Sequence, residues 1–172
     1  MKAYILHKSG SVSNLKLENL EDPDPRSHEV VIKHTAIGVN FFDVSIRRGD
    51  YKIDKFPIIL GLEGVGIIEL IGDDVKDFKI GDRVCYATGG FGAYAEKRAI
   101  DQNCLIPAPD NLSDDQIASS LLKGLTAHTL ITRVYNVKRA KRVLVHSAAG
   151  GVGQFLCNWI SHYQKEVIGT VG

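Results

Sequence analysis

The stretch Val143-Leu144-Val145-His146-Ser147-Ala148-Ala149-Gly150-Gly151-Val152-Gly153 carries the most specific chemistry in this 172-residue chain. A β-branched, apolar run predicts a strand. The Ala/Gly turn after it lets backbone N–H groups approach a pyrophosphate, and a helix over Val152–Tyr163 favours that anion at its N-terminus. On the G-x-G-x-x-G template the positions are Ala148, Gly150 and Gly153, so alanine replaces the first glycine. Phe155, Leu156, Trp159 and Ile160 give the helix an amphipathic face, and a second apolar strand is expected at Glu166–Val171. A glycine-rich turn that only packs a helix on a strand is the alternative reading. The end of that second strand, Gly169-Thr170-Val171-Gly172, has no carboxylate to hold ribose hydroxyls. This favours NADPH over NADH, with the basic contact to the 2′-phosphate expected beyond Gly172. His146 is read as a packed or hydrogen-bonded strand residue without a catalytic role. His7, His28, His34, His128 and His162 form no spaced cluster.

The elements that must carry this chemistry fall into two parts. Strands are expected at Ala3–His7, Leu15–Glu18, Glu29–Ile37, Gly64–Ile71, Arg83–Tyr86 and Ala93–Arg98, with turns at Asp22–Pro25, Gly72–Asp74 and Gly89-Gly90. That spacing predicts a partly open barrel or sandwich. Pro107–Asn111 reads as a linker. Ser113-Asp114-Asp115-Gln116 has capping-box spacing, so a helix should run to about Leu122, end at Gly124, and be followed by another over Thr126–Val134. From Arg142 the pattern is strand, helix, strand. The expected domains are 1–110, β-rich, and 111–172, the linking helices with the start of a parallel fold. A single βαβ unit cannot cover both faces of its own strands, so the chain is expected to be incomplete, and exposed strand edges should favour self-association.

Composition removes several function classes. Lys and Arg number 21 against 20 Asp and Glu, a net charge of +1 that gives no electrostatic footprint for nucleic acid or an anionic membrane. Cys85, Cys104 and Cys157 are dispersed and form no C-x-x-C pair, which suggests neither a disulfide framework nor a cysteine-rich zinc lobe. No secretory or membrane-spanning run is expected, and the location is read as cytoplasmic.

The block Gly61-Leu62-Glu63-Gly64-Val65-Gly66, followed by Gly72 and Val75, resembles the Gly-His-Glu signature of the medium-chain dehydrogenase/reductase superfamily, with leucine in place of histidine. Five further segments occur in the order of its quinone oxidoreductase (zeta-crystallin-like) branch. They are Ala36–Asp43, Gly81–Val84, Gly92–Ala95, Leu122–Ala127 and Ser147–Gly153. The resemblance implies a mixed β and α/β fold: a GroES-like β-rich catalytic domain followed by the first βαβ unit of a Rossmann, doubly wound, nucleotide-binding domain. It covers only the front of the family's chain. The positions of the family's zinc ligands hold Asn40 and Leu62, and Glu63 alone cannot hold a metal, so no metal site is expected. Glu63 is read instead as a carboxylate tied to backbone or a nearby arginine.

The resemblance implies NADPH-dependent, zinc-independent reduction of quinones by hydride transfer, because such acceptors need no Lewis acid and the protein's work is orientation and exclusion of water. Asn40 and Asp43 are the expected catalytic residues, with Asn40 a hydrogen-bond donor to substrate or cofactor. Phe41, Phe42, Lys123, Thr126, Ala148, Gly150, Gly151, Val152, Gly153 and Gly172 are expected at the cofactor. Ser45 stands where the branch often has tyrosine. Core packing is the alternative for Phe41 and Phe42, and a helix C-terminal charge is the alternative for Lys123. The partner is then a small-molecule quinone or conjugated carbonyl, with a homodimer implied for the full-length family only. Two further readings stay open: a reductase of α,β-unsaturated carbonyls, and a truncated or split-gene remnant with weak nucleotide binding.

Overall fold

The computed structural model describes residues 1–172. Its elements in order are β1 (Lys2–Leu6), β2 (Leu15–Asn19), β3 (Glu29–Ile37), α1 (Phe41–Arg48), β4 (Ile58–Ile59), β5 (Gly64–Ile71), β6 (Arg83–Tyr86), β7 (Lys97–Asp101), β8 (Ile106–Pro107), α2 (Asp114–Thr129), β9 (Arg142–Val145), α3 (Gly151–His162) and β10 (Glu166–Gly169). Two compact units result, Met1–Ser119 and Ser120–Gly172. The linker expected at 107–111 lies inside the first. The Arg83 guanidinium explains why, since it donates to the carbonyls of Pro109 (3.0 Å) and Leu112 (2.7 Å) and to Asp114 Oδ1 (2.7 Å), tying that stretch to β6.

The first unit is built from antiparallel sheets ordered β7-β3-β5-β6-β8 and β2-β1-β4. Consecutive Val30, Val31 and Ile32 are all buried because β3 lies between β5 and β7 with apolar side chains on both faces. The main core joins Val30, Ile32, Ile68, Val84, Tyr86, Ala93, Ile100 and Leu105. The strand expected at Ala93–Arg98 is displaced to Lys97–Asp101. Residues 94–96 change partners on the way, Tyr94 N–H bonding Leu60 O (2.9 Å) and Glu96 N–H bonding Lys2 O (2.9 Å), before β7 joins β3. Helix α1 and the short β4 lie outside the expected elements.

In the second unit β9 and β10 pair in parallel, Val143 opposite Val167 and Val145 opposite Gly169, with α3 as the crossover. Ile131, Val137, Val145 and Ile160 form its core, joined by Leu156 and Trp159. Both arms of the capping box exist: Ser113 N–H donates to Gln116 Oε1 (2.9 Å), and Gln116 N–H to Ser113 Oγ (3.2 Å). Gly124, however, does not end the helix. The helix continues to Thr129 and widens into a π turn over Leu130–Val134, because an interior glycine costs only about 1 kcal/mol and tertiary packing outweighs it. The second strand ends at Gly169, two residues short of the expected boundary, although Thr170 N–H still bonds Val145 O (3.0 Å). No helix is long and apolar enough to cross a membrane.

Candidate active site

Where β3 leaves its sheet, Gly38-Val39-Asn40 turns the chain into α1, with Asn40 as the N-cap and Asp43 three residues on. Asn40 N–H donates to Asp43 Oδ2 (2.9 Å), satisfying a donor at the helix start and placing a negative charge at the positive end of the dipole. The same carboxylate oxygen accepts from the Tyr94 hydroxyl (3.0 Å). Burial, with the Asp43 carboxylate adding to it, raises the Tyr94 pKa, so the phenol stays protonated and donating. Asn40 Nδ2 donates to Glu63 Oε1 at 2.7 Å. Glu63 is fully buried and Asp43 only 2% exposed. The Glu63 carboxyl thus takes the amide of Asn40 as a partner. Space for the carboxylate comes from Gly38, whose Cβ, if present, would overlap the Glu63 side chain.

Around this polar centre the rings face outward. Phe41 is 75% exposed and Phe42 39% exposed, the latter against Tyr51 with ring centroids 5.1 Å apart. Core packing is thus the wrong alternative for Phe41: the first turn of α1 sends its carboxylate inward, and the ring at position 41 goes to solvent. Ser45 is buried.

A second buried network sits in the same unit. His34 Nδ1 donates to Ala95 O (2.7 Å), so Nε2 accepts from the Tyr86 hydroxyl (2.7 Å). Burial drives the His34 pKa down to about 4, an effect that the Ala95 bond opposes and the Arg98 charge reinforces. Arg98, 6% exposed, stacks over Tyr86 (4.6 Å to the ring centroid) and donates through Nη2 to Gly89 O (2.5 Å) and Gly90 O (3.0 Å). The motif reading missed this network, since its members are 34, 86 and 98 in the chain and meet only across β3, β6 and β7. Alternation along β7 carries a signal for Arg98, which falls on the buried side with Ile100.

In the second unit the backbone of the 147–153 turn is tied into the fold. Ser147 adopts φ +54°, and its carbonyl accepts from Gly150 N–H (2.9 Å). Ala148 N–H is bound to Thr170 O (2.9 Å). The amides of Ala148 and Gly150 are therefore used within the fold. Gln154 N–H is the first to return to the helix, on Gly150 O (2.9 Å), so the amides of Gly151, Val152 and Gly153 have no helical acceptor, Gly153 being buried, and no acidic residue lies in the first turn. A Cβ at Gly153 would overlap the Ser147 carbonyl, which fixes glycine there. The alanine at position 148 is accommodated by Gly169, where a Cβ would lie 2.7 Å from Ala148 Cβ. Lys123 lies in mid-α2, which removes the C-terminal-charge alternative, and its Cδ and Cε pass over Gly151. Thr126 Oγ is turned back onto Leu122 O (2.8 Å), and Gly172 is exposed at the chain end. His146 Nδ1 meets Thr170 Oγ1 at 3.0 Å.

No three His, Cys, Asp or Glu side chains converge as a metal-holding group. Residues 26–110 match the alcohol dehydrogenase GroES-like domain family. The chain belongs to the medium-chain dehydrogenase/reductase superfamily, its first unit carrying the GroES-like domain and its second the opening βαβ unit of a Rossmann fold. It is 40% identical over 162 residues to a quinone oxidoreductase of Pseudomonas aeruginosa, covering 94% of this chain and 50% of the relative. A 2-haloacrylate reductase of a Burkholderia species is 37% identical, with 98% and 52% covered. The Escherichia coli quinone oxidoreductase structure, solved in complex with NADPH, superposes with a TM-score of 0.96 at 38% identity, over 100% of this chain and 53% of that one. The chain spans about half the length of the curated relatives it matches.

Proposed function

We propose that the protein to which this chain belongs is a cytoplasmic, zinc-independent, NADPH-dependent quinone oxidoreductase acting on a small-molecule quinone. The observation that carries this reading is the Asn40 centre: an amide held by a buried carboxylate, beside exposed rings, at a place where zinc-dependent relatives need a metal ligand. Such a centre offers hydrogen bonds and apolar surface, and it suits an acceptor that is already electron-poor.

The turn fits a dinucleotide. Gly151, Val152 and Gly153 offer unpaired helix N-terminal amides to a pyrophosphate, and the first turn of α3 brings no repelling carboxylate. The nicotinamide, when bound, supplies the reducing equivalent. Asn40 would orient the acceptor or the cofactor, Phe41 and Phe42 would exclude water, and Asp43 would hold Asn40 in place. Lys123 is assigned to the cofactor side through its position over Gly151. Thr126, Ala148, Gly150 and Gly172 line the same unit, Ala148 and Gly150 shaping the turn. The absence of a carboxylate after β10 supports NADPH over NADH. Reduction of a conjugated carbonyl is the second reading, favoured by the likeness to 2-haloacrylate reductase.

NADPH and NADH are titrated against Trp159 fluorescence, and NADPH oxidation is followed with and without a quinone, before and after chelation. Tighter NADPH binding and quinone-dependent, chelator-insensitive oxidation are expected. Stronger NADH binding, or activity abolished by chelator and restored by zinc, would overturn the proposal.

A further inference from the structure

The geometry points to Glu63 as a positioning residue that sets which edge of the Asn40 amide is offered to a ligand. The inference rests on the reading of Asn40 as a substrate or cofactor contact. Asn40 Nδ2 is the donor and Glu63 Oε1 the acceptor, and turning the amide over would bring the amide oxygen against the carboxyl oxygen. Glu63 cannot yield to relieve such a clash. It is fully buried, and the close passage of Gly38 confines it. The backbone of Asn40 is gripped from the other side, where its N–H meets Asp43 Oδ2, itself held by Tyr94. Side chain and backbone are thus fixed from two directions, by two buried carboxylates that reach Asn40 from β5's leading turn and from α1.

One of the two Nδ2 protons is committed to Glu63, and the second has its direction set by the planar amide. The group best recognised there is an acceptor oxygen, the carbonyl of a quinone or of a carboxamide, rather than a hydroxyl seeking an acceptor. Glutamine at position 63 would keep the shape but could donate as well as accept. It would therefore no longer select one amide orientation.

The 172-residue chain and its Glu63→Gln and Glu63→Asp variants, labelled with ¹⁵N, are compared by NMR at the Asn40 side-chain amide. In the unaltered chain the two Nδ2 protons should be resolved, one shifted downfield and exchanging about tenfold more slowly than in Glu63→Gln, as loss of a fixed hydrogen bond implies. Glu63→Asp keeps the carboxyl but shortens the reach, and it should also lose the slow proton. In quinone-dependent NADPH oxidation by the full protein to which the chain belongs, Glu63→Gln should lower kcat about tenfold while nucleotide affinity stays within about twofold, the split expected of lost orientation rather than lost folding. An Asn40 amide that is unchanged in both variants would overturn the proposal, as would an altered amide with unaltered kcat. Where the full protein to which the chain belongs oxidises no NADPH with a quinone, it is the proposed function that fails, and the amide comparison still decides the role of Glu63.

Discussion

The two candidate sites are held in place by opposite means. Around Asn40, carboxyl acceptors are buried so that donors have nowhere else to go: Glu63 takes the amide, and Asp43 takes a backbone N–H and a phenol. At the 147–153 turn the functional groups are backbone amides, and position is enforced by what is missing, because a Cβ at Gly153 would occupy the space of the Ser147 carbonyl. The first arrangement fails when a donor is orphaned or when the acceptor facing the Asn40 amide changes its reach or its hydrogen-bonding character. The second tolerates no added atom, yet it contains no buried charge to lose. Burial of polar groups therefore makes the first unit sensitive to pH, while the turn should answer mainly to steric change.

The largest effect is expected from Gly153→Ala, which sets a methyl against fixed backbone. It should destabilise the second unit by roughly 3 kcal/mol, the upper range for overpacking, and abolish the NADPH response of Trp159. Near-normal nucleotide binding in this variant would show that the turn is looser than its geometry indicates.

Acid titration probes the first unit. The folded His34 pKa of about 4 lies below the unfolded value of 6.5, so its contribution is fully present above pH 6.5 and is lost as pH falls toward 4. At one pKa unit per 1.36 kcal/mol this amounts to about 3 kcal/mol. Denaturant melts at pH 7, 5.5 and 4.5 should show the loss, and His34→Gln should flatten it. An equal slope in the variant would assign the acid sensitivity to other groups.

Asp43→Ala removes the acceptor of two donors and should lower stability by about 2 kcal/mol, with Asp43→Asn milder because one acceptor oxygen remains. Equal melting of the two variants would argue that the bonds to Asn40 and Tyr94 add nothing. The smallest effect, and the only stabilising one, is expected for Gly124→Ala. Its Cβ would lie 4.0 Å from Phe155, an ordinary contact, inside a continuous helix. A gain of up to about 1 kcal/mol in thermal melts would agree with a helical interior, whereas destabilisation would restore Gly124 as a helix end.

Local pattern was enough to place β3, β5, β6, α3 and the parallel pair β9 and β10, because apolar period and turn residues act over a few neighbours. The capping box at Ser113 was legible for the same reason, as was the glycine turn, whose requirement at Gly153 is visible in its spacing. The Asn40-x-x-Asp43 spacing at the start of α1 carries the same kind of signal, with Gly49 at φ +95° as its stop. Gly124 misled, since a propensity of about 1 kcal/mol is too small to break a helix whose Ile117, Ala118 and Ala127 are buried. The family resemblance marks Asn40, Phe41, Phe42 and Asp43 as a group. Only the tertiary structure could divide them into an amide locked by Glu63, a carboxylate turned inward and a ring turned outward. The His34–Tyr86–Arg98 network likewise exists only where three strands meet, for a hydrogen bond between residues 52 apart depends on sheet register, which no local run of residues encodes.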